Sequence, residues 1–334
     1  MVKKTTSTSK KKKQTRAKNK PITIHIRNYT IKKSVVVGIM RGALSGFTFA
    51  LLLFAFQKPI AEKGVLSETT VNNPTPSIFE KELAPAIVPP DISAASYIVV
   101  STKKNKVLAA KNPDTKLPPA STTKILTGLL AIQEFDFEEV VEVPAFCTKL
   151  EGSKIGLAPG EKINVESLLY GLLVASAGDA ACTLSAHKFA SGTFIVKMNI
   201  LAKQIGLSNT NFNNVVGLDT EEDTHVSTAR DLYLMAREAM KNGVFRKIVG
   251  TEETTIYSDD LKFSHHIRST NQLLFEVPGS LGVKTGKTPK AKEVLVYSYQ
   301  KNGDEIITVV MGSNDRFGDT KELINFVNAN YQSF

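Results

Sequence analysis

PPASTTKILTGLLAIQ, at residues 118–133, places two prolines ahead of a run of apolar residues at helical spacing. This pattern predicts a helix that begins close to Ser121. Ser121 and Lys124 lie three positions apart and therefore share one face of the predicted helix. A serine hydroxyl is a poor nucleophile until a base removes its proton, and a buried lysine can be neutral enough to act as that base. The stretch predicts a nucleophile and its base one helical turn apart.

The Ser-x-x-Lys pattern alone is not specific, because it occurs six times, at Ser7, Ser9, Ser101, Ser121, Ser185 and Ser298. The copy at Ser121 stands out because it begins a strongly apolar helix behind two prolines. A second motif, Lys284-Thr285-Gly286, occurs once, within SLGVKTGKTPKAK. On a strand edge its Lys and Thr can hold a substrate carboxylate, and its Gly would let a substrate backbone approach closely. A polar strand end followed by a turn is the alternative.

The segments around both motifs predict one α/β (α+β) domain at residues 91–334. Short apolar runs predict strands at 96–101, 106–110, 281–285, 294–300 and 305–312. Apolar residues at helical spacing predict helices at 165–175, 179–190, 228–242 and 318–330. A capping box of Thr228 and Asp231 opens the third of these helices. Because strands stand at both ends with helices between them, we expect the early and late strands to share one sheet.

The N-terminal segment predicts a membrane anchor. Residues 1–33 carry twelve Lys or Arg and no acidic residue. Residues 34–56 follow with one charge in 23 residues, enough for a helix across a bilayer core of about 30 Å. The basic run predicts a cytoplasmic tail, and thus a single-pass protein of the cell membrane with an extracytoplasmic domain. A cleaved signal peptide is the alternative, and Gly38, Gly42 and Gly46 have a spacing that can pair two such helices.

Residues 57–90 are a predicted semi-extended linker, because six prolines stand there among polar residues.

Charge and composition exclude several other classes of function. The net charge of +10 comes from the basic tail, which the membrane segment separates from the domain, so we expect contact with anionic lipid and no nucleic-acid partner. No His or Cys has metal-ligand spacing, so we expect no metal and no cofactor. Cys147 and Cys182 are expected to be isolated buried thiols, with a disulfide as the alternative.

The order of the local motifs resembles that of the D-alanyl-D-alanine carboxypeptidases, which are low-molecular-weight penicillin-binding proteins. The matching stretches, over residues 92–330, are PASTTKILTGLLA, LAPGEKINVESLLYGLLVASAGDAA, NTNFNNVVGLD, HVSTARDL, STNQLL, GVKTGKT and VVMGSNDRFGD. The resemblance implies a β-lactamase/transpeptidase-like fold, with an antiparallel sheet flanked by helices and a helical subdomain. It also implies a serine enzyme that removes the terminal D-Ala of peptidoglycan stem peptides through an acyl-enzyme and that β-lactams acylate.

The resemblance implies a role for each site residue. Ser121 is the expected nucleophile, Lys124 its general base, and Ser176 a proton relay toward the leaving amine. The backbone N–H groups of Ser121 and Lys287 are expected to form the oxyanion hole. The residues expected to bind the substrate and its terminal carboxylate are Lys284, Thr285, Gly286, Lys287 and Arg316.

The second motif departs from the family pattern. The chain has Ser176-Ala177-Gly178 where the family usually has Ser-x-Asn. That amide normally bonds the substrate peptide and helps orient the lysine, so its loss predicts slower turnover. Asp179 would have to reorient to replace it. A catalytically impaired protein that binds or scaffolds the cell wall is therefore the alternative function. A β-lactamase is not expected, because we find no base for rapid deacylation.

Overall fold

The structure, a computed structural model, describes residues 88–190 and 192–331. The predicted tail (1–33), the predicted membrane segment (34–56) and nearly all of the predicted linker lie outside these residues. Within the described ranges, every helix is too short or too polar to cross a bilayer.

A five-stranded antiparallel sheet joins the two ends of the described chain. Its strands are β1 (Ser96–Ser101), β2 (Lys106–Lys111), β7 (Ser280–Thr288), β8 (Lys292–Lys301) and β9 (Asp304–Ser313). The order across the sheet is β2-β1-β9-β8-β7, and Ser96 of β1 lies opposite Met311 of β9. The predicted sharing of one sheet by early and late strands is therefore confirmed. The motif-bearing strand β7 forms one edge of this sheet.

Two short hairpins lie outside the sheet, and neither was predicted. One pairs β3 (Val140–Glu142) with β4 (Lys162–Asn164). The other pairs β5 (Glu253–Tyr257) with β6 (Ser264–Arg268). Strands as short as β3 and β4 carry too few residues to show an alternating pattern in the sequence.

The helices of the described chain are α1 (Lys124–Glu134), α2 (Val165–Leu173), α3 (Gly178–Ala186), α4 (Thr193–Gln204), α5 (Ala229–Ala239), α6 (Gly243–Val249), α7 (Leu273–Glu276) and α8 (Arg316–Asn330). Thr228 is the N-cap of α5, because its side chain accepts a hydrogen bond from Asp231 N. The predicted capping box is only half formed, since the Asp231 carboxylate accepts from Asn209 N and Thr210 Oγ1 instead of from Thr228 N. The helix ends at Ala239, earlier than expected, and the Asn242 side chain caps α6. The sequence interpretation missed α4, α6 and α7.

The core lies on both faces of the sheet. In β1, Ile98 and Val100 face a large cluster built with the helices, whereas Tyr97 and Val99 face a second cluster that includes side chains of α8. Helix α1 runs through the larger cluster, and its residues from Lys124 to Ala131 are all buried. A lysine at the start of this helix is therefore held away from water.

Cys147 and Cys182 form a disulfide, with Cα atoms 5.4 Å apart. The expectation of two isolated thiols is therefore wrong. The bond ties the 3₁₀ turn Cys147–Lys149 to α3 across 35 residues of sequence. The sequence left both states open, because two cysteines without a motif carry no information about their distance in the fold.

Candidate active site

Ser121 lies in a 3₁₀ turn, Ala120–Thr123, which directly precedes α1. The prediction that the α-helix itself begins at Ser121 is therefore wrong by one turn. Two threonine hydroxyls brace this turn, because Thr122 Oγ1 donates to Pro119 O at 2.6 Å and Thr123 Oγ1 donates to Ala120 O at 2.8 Å. Ser121, the candidate nucleophile, therefore lies in a hydrogen-bonded turn and not in a regular helix.

Gly217 lies against this turn and has no room for a side chain. A Cβ built on Gly217 would lie 1.9 Å from Ala120 O, and the residue has a φ of +84°. Both the close approach and the left-handed backbone require glycine here. The loop that carries Gly217 can therefore contact the backbone of the nucleophile's turn.

Lys124 has the geometry of a base for Ser121. Its Nζ lies 2.9 Å from Ser121 Oγ and donates to Val216 O at 2.7 Å. Burial lowers the pKa of Lys124 from 10.5 to about 7, although the nearby Asp179 carboxylate opposes this shift. A neutral amine can donate to Val216 O while its lone pair accepts the Ser121 proton. The amine therefore has both the position and the protonation equilibrium that proton abstraction requires.

Lys284 is a second buried amine, on β7. Burial, followed by the positive charges of Lys124 and Arg316, holds the pKa of Lys284 well below its usual range. Its Nζ donates to Thr285 O at 3.1 Å. Because Lys124 and Arg316 both act on the charge of Lys284, the first and third motifs and Arg316 lie within one electrostatic neighbourhood.

Gly286 lets β7 lie directly on the nucleophile's turn. A Cβ on Gly286 would be 2.9 Å from Ala120 Cβ and 3.0 Å from Ser121 N. Gly286 is thus packed against the turn that carries Ser121. The sequence had suggested that its small size serves the substrate backbone.

Thr285 and Arg316 lie beside Gly286. Thr285 Oγ1 is 2.6 Å from Thr270 Oγ1, and Arg316 Nη1 donates to Gly286 O at 3.0 Å. Arg316 Nε is buried and has no hydrogen-bond partner among the described residues. Arg316 thus contacts the third motif at Gly286 O and keeps one guanidinium N–H without a partner among the described residues.

The Lys287 side chain points away from this group. Its Nζ is exposed and pairs with Glu293 at 2.9 Å, and the other Glu293 oxygen accepts from Arg316 N at 3.2 Å. Only the backbone of Lys287 can therefore serve the site. The oxyanion hole of Ser121 N and Lys287 N stays a prediction.

Ser176 has a left-handed backbone, with a φ of +60°, immediately before α3. It is buried, and its hydroxyl makes no hydrogen bond to another described residue. The adjoining Gly178 faces loop backbone: a Cβ built there would lie 3.3 Å from Ser153 O and 3.8 Å from Val216 Cγ1. Val216 O is the carbonyl that holds Lys124, so the second motif adjoins the base.

Asp179 does not replace the missing amide. Its carboxylate is fully buried and accepts hydrogen bonds from the backbone N–H groups of Ile155, Gly156, Leu157 and Ala180, at 3.0–3.3 Å. Turning this carboxylate toward a substrate would break these four hydrogen bonds and leave buried N–H groups without a partner. Gly178 therefore leaves the second motif without a polar side chain at its third position.

Several contributors to the site were not identified from the sequence. Val216 acts through a carbonyl, which no side-chain pattern reveals. Thr270 contacts Thr285 from the STNQLL stretch. His225 packs behind the nucleophile's turn, where Nε2 lies 2.9 Å from Thr123 Oγ1 and Nδ1 accepts from Asn213 N. Burial lowers the pKa of His225 to about 4, so this ring is a neutral brace. These residues lie in the matching stretches NTNFNNVVGLD, HVSTARDL and STNQLL, which were the only indication in the sequence that they belong to the site.

Comparison with known proteins agrees with this geometry. The family model described as D-alanyl-D-alanine carboxypeptidase matches residues 84–315. The D-alanyl-D-alanine carboxypeptidase DacF of Bacillus subtilis is 34% identical over 270 residues, which cover 77% of this chain and 68% of DacF. The crystal structure of the Streptomyces K15 DD-transpeptidase has a TM-score of 0.68 at 30% identity and covers 72% of this chain and 99% of its own. A D-alanyl-D-alanine carboxypeptidase structure from Mycobacterium tuberculosis has a TM-score of 0.69 at 30% identity and covers 74% and 95%.

Proposed function

The chain belongs to the D-alanyl-D-alanine carboxypeptidase family, and we propose that it removes the terminal D-Ala of peptidoglycan stem peptides through an ester on Ser121. The observation that carries this proposal is the pair formed by Ser121 Oγ and Lys124 Nζ, 2.9 Å apart, with the pKa of the lysine lowered to about 7. A lysine in this state can accept a proton at neutral pH and return it later in the cycle.

The proposed reaction uses Ser121, Lys124 and Ser176. Neutral Lys124 takes the proton of Ser121, and Oγ attacks the carbonyl carbon of the penultimate D-Ala. The bond between that carbon and the terminal D-Ala nitrogen breaks, and the leaving amine receives a proton through Ser176. The remaining ester of Ser121 is then hydrolysed by water, which regenerates the hydroxyl and releases the shortened peptide. β-Lactams acylate the same hydroxyl in this proposal, because their strained amide resembles the scissile bond.

The third motif binds the terminal carboxylate in this proposal. Thr285 offers a hydroxyl and Arg316 offers guanidinium donors, and the charge of buried Lys284 is influenced by both Lys124 and Arg316. A carboxylate is the substrate group that such donors bind best. The pocket therefore favours peptides with a free C-terminus over peptides whose terminus is blocked.

The test is release of D-Ala from a stem pentapeptide and labelling by a fluorescent penicillin. Ser121→Ala should abolish both, because it removes the attacking oxygen. Ser185→Ala is the matched control, since Ser185 also stands in a Ser-x-x-Lys pattern but its hydroxyl is bonded to Cys182 O. Retained labelling in Ser121→Ala would show that the nucleophile has been assigned wrongly.

The absence of a polar side chain at Gly178 supports a second candidate, a cell-wall protein that binds stem peptides with little turnover. This candidate predicts tight binding of the pentapeptide without release of D-Ala. Equal release of D-Ala from this chain and from a related carboxypeptidase would exclude it. Adding an amine acceptor to the same assay distinguishes hydrolysis from transpeptidation.

We also propose that residues 34–56 anchor the protein in the cell membrane, with the domain on the extracytoplasmic side and the basic tail near anionic lipid. The support is the sequence: 23 residues with one charge, behind a basic run that carries no acidic residue. Protease digestion of intact spheroplasts should remove the domain and spare the tail. Pairing through Gly38, Gly42 and Gly46 stays a prediction.

A further inference from the structure

A loop, residues 153–161, lies between the second motif and the β5–β6 hairpin. On one side it binds the start of α3: Ser153 O accepts from Gly178 N at 2.7 Å, and three consecutive loop amides, beginning at Ile155, donate to the buried Asp179 carboxylate. We call this segment the bridging loop. Its backbone conformation and that of the second motif are therefore tied together.

His265 of β6 holds the other side of the bridging loop. Its Nδ1 lies 3.1 Å from Ile155 O, and its Nε2 lies 2.8 Å from Glu161 Oε1. The second Glu161 oxygen accepts from Ala158 N at 2.8 Å. Both side chains are buried. One imidazole thus binds the loop at two points, and Ile155 joins it directly to Asp179.

The two partners of His265 require two hydrogens. A backbone carbonyl can only accept, so Nδ1 must carry a hydrogen. Nε2 faces a carboxylate oxygen, so one further hydrogen must lie between Nε2 and Oε1. A neutral imidazole facing an ionised carboxylate lacks the second hydrogen, so it cannot make both hydrogen bonds. An apolar residue at position 161 or 265 cannot make them either.

Ser176 needs such support from its surroundings. A left-handed backbone is costly for a residue other than glycine and persists only where neighbouring contacts enforce it. Ala177 N bonds Gly171 O at 3.0 Å. Ile155 of the bridging loop packs on Gly171, where a Cβ would lie 2.7 Å from Ile155 Cδ1. The loop therefore contacts Gly171 and Gly178, which flank the Ser176 turn.

We propose that His265 and Glu161 are positioning residues for Ser176, which they hold in its strained conformation through the bridging loop. The inference rests on the proposed function, because it assigns the pair to the step in which Ser176 relays a proton. In this proposal, buried His265 and Glu161 share one hydrogen, and neither residue contacts the substrate.

The first measurement compares His265→Gln with His266→Gln in D-Ala release. His266 is the next residue on β6 but is exposed, so its variant reports the effect of losing any imidazole from this strand. His265→Gln should lower kcat about tenfold with less than about a twofold change in KM, since misplacing a proton relay affects chemistry more than binding. Equal kcat values for the two variants would overturn the proposal.

The second measurement compares Glu161→Gln with Glu161→Leu. A glutamine amide can donate to a neutral Nε2 while its oxygen accepts from Ala158 N, so this variant should retain most of kcat. A leucine of similar size can do neither, and its kcat should fall as in His265→Gln. Equal losses in both Glu161 variants would show that packing, and not the shared hydrogen, is what the loop needs.

A double-mutant cycle with Ser176→Ala separates positioning from general destabilisation. If His265 acts through Ser176, His265→Gln should change kcat less than about twofold in the Ser176→Ala background. A full tenfold loss in that background would refute the proposal. The same assays separate failure of the proposed function from failure of the positioning role. If the unaltered protein neither releases D-Ala nor is labelled by penicillin, the proposed function is wrong. If the unaltered protein is active and the His265 and Glu161 variants are equally active, only the positioning role is wrong.

Discussion

The acylation rate should follow the protonation state of Lys124. Only the neutral amine can take the proton of Ser121, and burial brings the pKa of Lys124 down to about 7. With this pKa, about one molecule in a hundred has a neutral Lys124 at pH 5, and about nine in ten at pH 8. The second-order rate constant for acylation by a fluorescent penicillin should therefore rise about a hundredfold from pH 5 to pH 8, and level off above that.

Stopped-flow measurement of this rate constant between pH 5 and pH 9 provides the test. Lys188→Gln is the control, because Lys188 belongs to the Ser185 copy of the motif and its exposed amine pairs with Glu139. That variant should have the same profile as the unaltered protein. A rate that is flat across this range, or that still rises about tenfold per pH unit between pH 8 and pH 9, would refute the idea that a desolvated Lys124 is the base.

The same shift has a consequence for stability with a fixed sign. The native pKa of Lys124 lies below that of the unfolded chain, so the unfolded chain binds more protons between pH 7 and pH 10. The contribution of this residue to the free energy of unfolding therefore increases as the pH rises through that window. Below pH 7 the amine is protonated in the folded protein, so the buried charge lowers the free energy of unfolding by its full amount.

Three further outcomes are expected. Gly217→Ala should reduce the rate of penicillin acylation more than about a hundredfold, because its Cβ would lie 1.9 Å from Ala120 O. Gly160→Ala is the control, because Gly160 has a φ of +78° and open space around it, and this variant should lower the free energy of unfolding in urea by only about 1 kcal/mol. Replacing Cys147 and Cys182 together by Ala should lower the free energy of unfolding by about 4 kcal/mol, from the closure of a 35-residue loop; an unchanged urea midpoint would contradict this. Gly178→Asn should raise the rate of D-Ala release relative to Gly178→Ala, which introduces the same crowding against Ser153 O without an amide; equal rates would show that the missing amide does not limit turnover.

The sheet and most helices could be predicted because their signals are local. The runs that became β8, β9 and α2 carry enough apolar residues at the right spacing to be identified without knowledge of their partners. Helix α4 could not be identified in this way, since only four of its residues are buried and exposed Val196 and Ile200 blur its polar face. Short hairpins and the disulfide depend on contacts between distant segments, which a single sequence does not reveal.

In the site, the motif residues could be named from the sequence, whereas the groups that contact and position them could not. Ser121, Lys124, Lys284 and Arg316 are brought together where the motif order implied. The Val216 carbonyl, the close approach of Gly217 and the contact of His265 with Glu161 depend on how distant segments of the chain fold together. The sequence also could not show whether Asp179 is able to reorient, because three of its four amide donors come from residues 155–157, which are distant in the chain.

The pairing of β1 with β9 governs how the domain can assemble. Ser96 and Met311, which lie opposite each other, are 311 − 96 = 215 residues apart in the chain. Contacts this distant in sequence slow folding, because a long stretch must become ordered before they can form. During synthesis the first hairpin emerges with one edge unpaired, while the helices between it and β9 can already associate. The sheet is therefore completed only after β9 has been synthesised.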